Sequence, residues 1–398
     1  MPNAVRPHDA TIRNHYPGLD GLRAIAVFMV FLQHYASQYA FIFGWGWAGV
    51  DVFFVLSGFL ITGILYDSQN QPFRYRDFYI RRTLRIFPLY YTVWLAILLA
   101  APLVRWEWNW RWTLWPAYLG NYARFFFLHQ AGNPYRFDRL TSGPAVQQWF
   151  GSPMHLYIGH FWSLCVEEQF YLVWPLVVYS IRKRETLMKI CVCVILAAPL
   201  FRWWLTTHLS SQMLGMELLY RSMPTRIDAL LLGGLVALCL RGPQKEWLHR
   251  WKHAILGTSA ALLVVVYLLA VHGFKLPYEG SATNWVGILG FTLIDLFASA
   301  LILETIYPGG WWSRMLSLRG LRNFGVISYG FYVYHDLLHD LYSYVANRFF
   351  PTYAAAVTIF IAFFASWLIA WLSFRILESP VLKLKDRFTH QVHKAPQA

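Results

Sequence analysis

Residues 19–41 read LDGLRAIAVFMVFLQHYASQYAF, a run long and apolar enough to cross a bilayer, yet it carries Asp20, Arg23 and His34. About 20 mostly apolar residues span the ~30 Å hydrocarbon core as a helix. Arg23 and His34 lie eleven positions apart. At 3.6 residues per turn they fall within roughly 20° of one face and about 16 Å apart along the axis. Ionisable groups at membrane depth are costly and mark active sites or conduction paths. The stretch therefore reads as a membrane helix with two polar stations on one face. The segment ahead of Leu19 is polar and charged with no apolar h-region, so no cleaved signal peptide is expected and this first helix stays as an anchor.

The same pattern repeats along the chain. Val50–Leu65, Pro88–Leu103, His160–Ile181, Leu187–Leu205, Pro224–Leu240, Ala254–Val271, Trp285–Ile306, Leu321–Val345 and Tyr353–Ile376 are each read as a further span. The expected fold is all-α, a polytopic integral membrane helix bundle of about ten transmembrane helices in one domain, 1–398. Composition agrees, with 57% of residues hydrophobic and only 14% charged, where soluble domains carry about a quarter charged. The net charge of +14 raises nucleic acid as a partner. The placement of the charge removes it: loops on the side of the N-terminus hold well over twice the Lys and Arg of loops on the other side. That is the positive-inside signature, and it puts both termini in the cytoplasm and the lipid bilayer among the partners.

Residues 105–159 form an outer aromatic-rich loop in this reading, with Trp106, Trp108, Trp110, Trp112 and Trp115. The tryptophans are either an interfacial belt or a stacking platform, and Trp112–Leu128 is an interfacial or re-entrant element. Cys165, Cys191, Cys193 and Cys239 all fall inside expected helices, which supports neither a disulfide framework nor a metal site.

The remaining ionisable residues narrow the chemistry. Arg81-Arg82-Thr83-Leu84-Arg85 precedes the third span on the cytoplasmic side. It reads as a phosphate-binding set of guanidinium forks or as a plain topogenic cluster. Glu167 and Glu168 open the fourth span, where one carboxylate must face a polar interior, either to relay a proton or to pin two helices. The remaining candidates are Asp51, Arg226, Asp228 and the pair His335-Asp336, with Asp295 and Glu378 weaker. Arg226 and Asp228, two positions apart, point to different sides of their helix and are not mutual partners. Shared depth predicts one polar chamber holding His34, Asp51, Glu167, Asp228 and His335, with Arg23, Arg82 and Arg85 opposite it. A proton-coupled secondary transporter or flippase is the rival to an enzyme, since buried His and Glu also build proton relays. No pair of corresponding Gly/Pro-broken helices in two halves supports it.

Several blocks together resemble the acyltransferase 3 family of membrane acyltransferases. They are Leu19-Asp20-Gly21-Leu22-Arg23 through His34, similar to an Arg-x10-His signature, then Gly49–Phe59, and Arg82-Thr83-Leu84-Arg85. Trp162–Tyr171 follows, in which Glu167 takes the shared position, then Arg226-Ile227-Asp228, Ser328-Tyr329 with His335, and Glu378-Ser379-Pro380. The resemblance implies a bacterial cytoplasmic-membrane enzyme that moves an acyl group, expected to be acetyl, from cytoplasmic acyl-CoA to a carbohydrate hydroxyl. The acceptor would be a surface polysaccharide or lipid-linked saccharide. It implies Arg23, Arg82 and Arg85 for the donor, and His34 as base or transient acyl carrier with Glu167 orienting it. Asp51, Arg226, Asp228 and His335 would be acceptor-side or structural polar residues. No metal and no bound cofactor are expected. Two departures stand: Asp336 follows His335 where an aromatic residue is common, and no SGNH-type domain follows the tenth helix. A separate extracytoplasmic partner is the corresponding expectation.

Overall fold

The computed structural model describes residues 16–39, 41–106, 110–127, 138–209, 212–271 and 286–384. The segment before Tyr16 and the indole of Trp108 lie outside them. Pro17, whose missing N–H is free at a first turn, starts α1 (Pro17–Ala36). The chain turns through Phe41–Trp45 into α2 (Ala48–Asp67) and continues into α3 (Arg74–Val104). Then come α4 (Trp162–Ser180), α5 (Arg184–His208), α6 (Met223–Cys239), α7 (Gln244–Val271) and α8 (Phe291–Ile306). After a short helix at Trp311–Leu316 come α9 (Arg319–Val326), α10 (Ser328–Leu337) and α11 (His339–Phe349), before α12 (Ala354–Ser373).

Seven helical stretches among the described residues are long and apolar enough to cross a membrane by themselves, those built on α2, α3, α5, α6, α7, α8 and α12. The chain is thus a polytopic helical membrane protein. Helices α1 and α4, which carry Arg23, His34, Glu167 and Glu168, do not reach that apolarity.

Two spans differ from expectation in ways that move the site. The third does not begin at Pro88 but runs from Arg74 with Pro88 and Pro102 inside it. Proline is tolerated inside membrane helices because neighbouring groups satisfy the freed carbonyls. Arg82 and Arg85 are therefore on the helix, two to three turns in, and not in a loop ahead of it. The ninth span, expected as one helix over Leu321–Val345, is broken at Ile327 (φ −96°, ψ 6°) and Leu338 (φ −105°, ψ 25°). The break beside Leu338 comes with side chains that take over carbonyls: Tyr35 Oη donates to His335 O at 2.6 Å, and His335 Nδ1 bonds Tyr332 O at 2.7 Å.

Helices α2 and α6 form the closest seam. A Cβ on Gly58 would meet Leu230 O at 1.7 Å, and one on Gly233 would meet Val55 O at 1.9 Å. Without a hydrophobic drive between helices in lipid, small residues that let backbones approach supply the packing. At the far end of the bundle from Tyr16, strands β1 (Arg139–Thr141) and β2 (His155–Tyr157) pair antiparallel, with Leu140 opposite Leu156. The stretch 112–127 holds only short helical turns. Trp112 and Trp115 are core residues, while Trp110 is exposed.

Candidate active site

Two cavities open within the bundle. The first, about 430 Å³, runs along one face of α2, where Val50, Phe53, Ser57, Leu60, Ile64 and Asp67 line it. That stripe is about 25 Å long at 1.5 Å per residue. Arg23, Arg82, Arg85, Glu167, Glu168 and Arg241 also face it. The second, about 350 Å³, lies at the far end and is lined by His34, His160, Asp336, Arg124, Arg221 and Tyr157. Burial pushes the Tyr157 phenol up, which keeps it an O–H donor there.

A hydrogen-bonded layer joins their walls. Tyr332 and Ser163 line the first cavity and His160 lines the second. Tyr332 Oη donates to His160 O at 2.5 Å and lies 2.6 Å from Ser163 Oγ. A carbonyl only accepts, so the one phenolic proton goes to His160 O and Ser163 donates to Tyr332.

The same logic fixes the histidines. His335 Nδ1 sits 2.7 Å from the Tyr332 carbonyl, so Nδ1 carries the proton and Nε2 is left to accept. His34 Nδ1 lies 2.8 Å from His335 Nε2 in a stacked pair of rings 5.0 Å apart, and it is the donor. The basic nitrogen of neutral His34 is therefore Nε2. The rest of the cluster is centred on Asp336. Its carboxylate lies 3.9 Å from His34 Nδ1, 3.5 Å from His160 Nδ1 and 3.7 Å from His339 Nδ1. A charge arising on His34 would meet that carboxylate.

The single chamber expected from shared depth is not what forms. Glu167 is not beside His34. It faces the first cavity, 3.8 Å from Arg82 Nη2, and Arg82 lies 3.7 Å over the Tyr171 ring. Seven positions past His160, Glu167 is about 10 Å along α4 from the histidine layer. Arg23 lines the same cavity and is held by Asp20 at 2.7 Å.

Asp51, Arg226 and Asp228 form a separate buried cluster that lines neither cavity. Arg226 pairs with Asp51, and its guanidinium lies 3.8 Å over Phe291. Asp228 pairs with Arg202 at 2.8 Å and accepts from Thr292 at 2.6 Å. The sequence reading that Arg226 and Asp228 are not partners of each other holds, and the partners are Asp51 on α2 and Arg202 on α5. Arg202 is fully buried. Asp295 sits in the same electrostatic cluster.

Sequence reasoning misses His160 and Tyr332. It names Asp336 with His335 as a candidate, but gives it no role beside His34. At the far cavity, Arg124 pairs with both Asp138 and Glu217, and Arg221 reaches Asp138 at 3.0 Å and Glu217 at 3.2 Å. Apart from the i,i+4 pair of Arg221 with Glu217, no local motif announces these contacts, because they join separate segments of the chain.

Comparison with known proteins gives the same direction. Peptidoglycan O-acetyltransferase OatA of Listeria monocytogenes is 30% identical over 93% of this chain and 56% of its own length. YrhL of Bacillus subtilis, provisionally named a peptidoglycan O-acetyltransferase, is 29% identical over 82% of this chain and 49% of its own. The chain spans about half the length of the curated relatives it matches. No solved structure matches. The family described as "Acyltransferase domain" matches residues 16–374. With nearly the whole bundle inside that match, the chain belongs to this acyltransferase family.

Proposed function

We propose that the protein is a membrane O-acyltransferase that carries an acetyl or other short acyl group from acyl-CoA in the first cavity to a hydroxyl of a carbohydrate in the second. The observation that carries this is the meeting of two cavities from opposite ends of the bundle at one hydrogen-bonded layer, with His34 on its far side. The pantetheine arm of coenzyme A equals about four residues of extended chain, roughly 14 Å. That matches the ~16 Å between Arg23 and His34 on α1, so phosphates held near Arg23, Arg82 and Arg85 would leave the thioester near His34.

The chemistry follows from the protonation pattern. His34 Nε2 takes the proton of the acceptor hydroxyl as its oxygen attacks the thioester carbon. The C–S bond breaks with its electron pair on sulfur, the thiolate takes up a proton as free coenzyme A leaves, and the His34 imidazolium gives up the proton it took, so that one proton passes in net from the acceptor hydroxyl to the thiol. His335 holds the His34 tautomer, and the Asp336 carboxylate offsets the imidazolium. Glu167, paired with Arg82, sits on the donor side. The acceptor class is a cell-surface glycan or its lipid-linked precursor, as the names of the relatives suggest, and the donor end of the bundle faces the cytoplasm.

The test is His34→Gln in purified protein. Acetyl-CoA binding is expected to persist while transfer to glycan falls by 10²-fold or more. A correctly inserted His34→Gln protein with full transfer activity would sink the assignment. Mass spectrometry of host surface glycans with and without the gene identifies the acceptor through its missing ester-linked acyl groups.

A further inference from the structure

The donor reading leaves one guanidinium in the first cavity without a role. Arg241, just past α6, lines that cavity together with Asp67 at the C-terminal end of α2. Its Nε lies 2.6 Å from Asp67 Oδ1, its Nη2 2.5 Å from Asp67 Oδ2, and its Nη1 donates to Ala237 O at 2.9 Å. The Arg241 side chain is 9% exposed, while that of Asp67 is 50% exposed, which marks this end of the stripe as the mouth. The site is built for the arginine: a Cβ on Gly63 would lie 2.8 Å from Arg241 Nη2. The tight α2–α6 seam at Gly58 and Gly233 holds both residues' helices in register.

Position decides what Arg241 meets. Arg82 lies over Tyr171, whose hydroxyl bonds Ser57. Ser57 is ten positions from Asp67, about 15 Å along α2. The cationic groups thus fall into a deeper set, Arg23, Arg82 and Arg85, and one at the mouth. Coenzyme A carries its anions in the same order behind the thioester. The pyrophosphate adjoins pantetheine, and the ribose 3′-phosphate lies at the adenosine end, the last part to enter.

We propose that Arg241, aimed by Asp67, is the anchor for the 3′-phosphate of the acyl-CoA donor. The inference rests on the donor reading of the first cavity and adds to it a residue that tells coenzyme A from its dephospho form. With Nε and one Nη2 N–H on Asp67 and one Nη1 N–H on Ala237 O, one N–H on each terminal nitrogen is left to meet a phosphate oxygen. Asp67 fixes the fork before the ligand arrives and so reduces the ordering cost of binding.

The experiment is calorimetric titration of the purified full-length protein with acetyl-CoA and with 3′-dephospho-acetyl-CoA. Wild type is expected to prefer acetyl-CoA by about ten- to a hundredfold, the range of one charge-assisted contact. In Arg241→Gln the ratio falls to about one, through weaker acetyl-CoA binding and unchanged dephospho binding. Asp67→Asn, which keeps the guanidinium but lifts the carboxylate, preserves or raises the preference. If the Arg241–Asp67 pair only braces the fold, both variants lose stability alike and the ratio stays at its wild-type value, which overturns the inference. Wild-type protein that binds both ligands equally overturns it too, with the donor reading intact. Wild type that binds neither takes the donor reading down with it.

Discussion

Replacing Asp228 by Asn would remove one charge from a pair buried in the middle of the bundle. Arg202 and Asp228 are both fully buried, 2.8 Å apart, and Arg202 also donates to Thr225 O at 2.9 Å and to Thr292 Oγ1 at 2.5 Å. Neutralising Asp228 takes the direct carboxylate partner from a buried guanidinium, whose remaining hydrogen-bond acceptors are neutral. Breaking a buried pair from one side costs about 3–5 kcal/mol, a hundredfold to several-thousandfold shift in the folded-to-unfolded ratio. Replacing both partners by apolar residues, Arg202→Met with Asp228→Leu, removes the stranded charge. It is expected to recover most of that loss, because well-packed apolar substitutes for buried ion pairs are often neutral or stabilising. The assay is equilibrium unfolding of purified protein in mixed micelles for wild type, Asp228→Asn, and the cycle of Arg202→Met, Asp228→Leu and their double variant. Donor binding and acyl transfer are measured on the folded fraction. A folded Asp228→Asn protein as stable as wild type would refute the pairing. A stable double variant in which only the acceptor KM rises would return Asp228 to the acceptor site.

Two further substitutions probe the site and the frame that holds it. His335→Phe keeps the stacked ring but removes the acceptor for His34 Nδ1; transfer is expected to fall 10²-fold or more with acetyl-CoA affinity unchanged, as read by titration beside turnover. Gly58→Ala places a Cβ 1.7 Å from Leu230 O, so α2 and α6 must separate. A loss of about 1–3 kcal/mol should appear in the unfolding midpoint, together with weaker binding of acetyl-CoA along the displaced α2 face.

Much of the fold was legible because the bilayer imposes its own length and polarity rules on the chain. Helices α5 and α6 fall within a few residues of the expected spans. The misreadings came where packing overruled local rules. Pro88 marks no helix start, because α3 runs through it, and His335 sits beside a break in what had been read as a continuous span. Of the site, Arg23, His34, Glu167 and His335 are singled out by the cost of placing such groups at membrane depth, and Arg82 and Arg85 by their clustering beside a span. The division of the site between two cavities is not legible there, nor are His160 and Arg241, and Asp336 stands only as the neighbour of His335.

The sequence by itself determined that this chain crosses a membrane as a helical bundle and which of its ionisable residues must be sheltered there. Both are properties of residue type and local spacing. Only the tertiary structure decided which groups meet: His34 with His335, 301 positions away, and Arg226 with Asp51, 175 away. Those meetings depend on how far each helix is rotated about its axis and how closely it approaches its neighbours. Contacts such as Gly58 against Leu230 set both, and no spacing along a single helix contains that information.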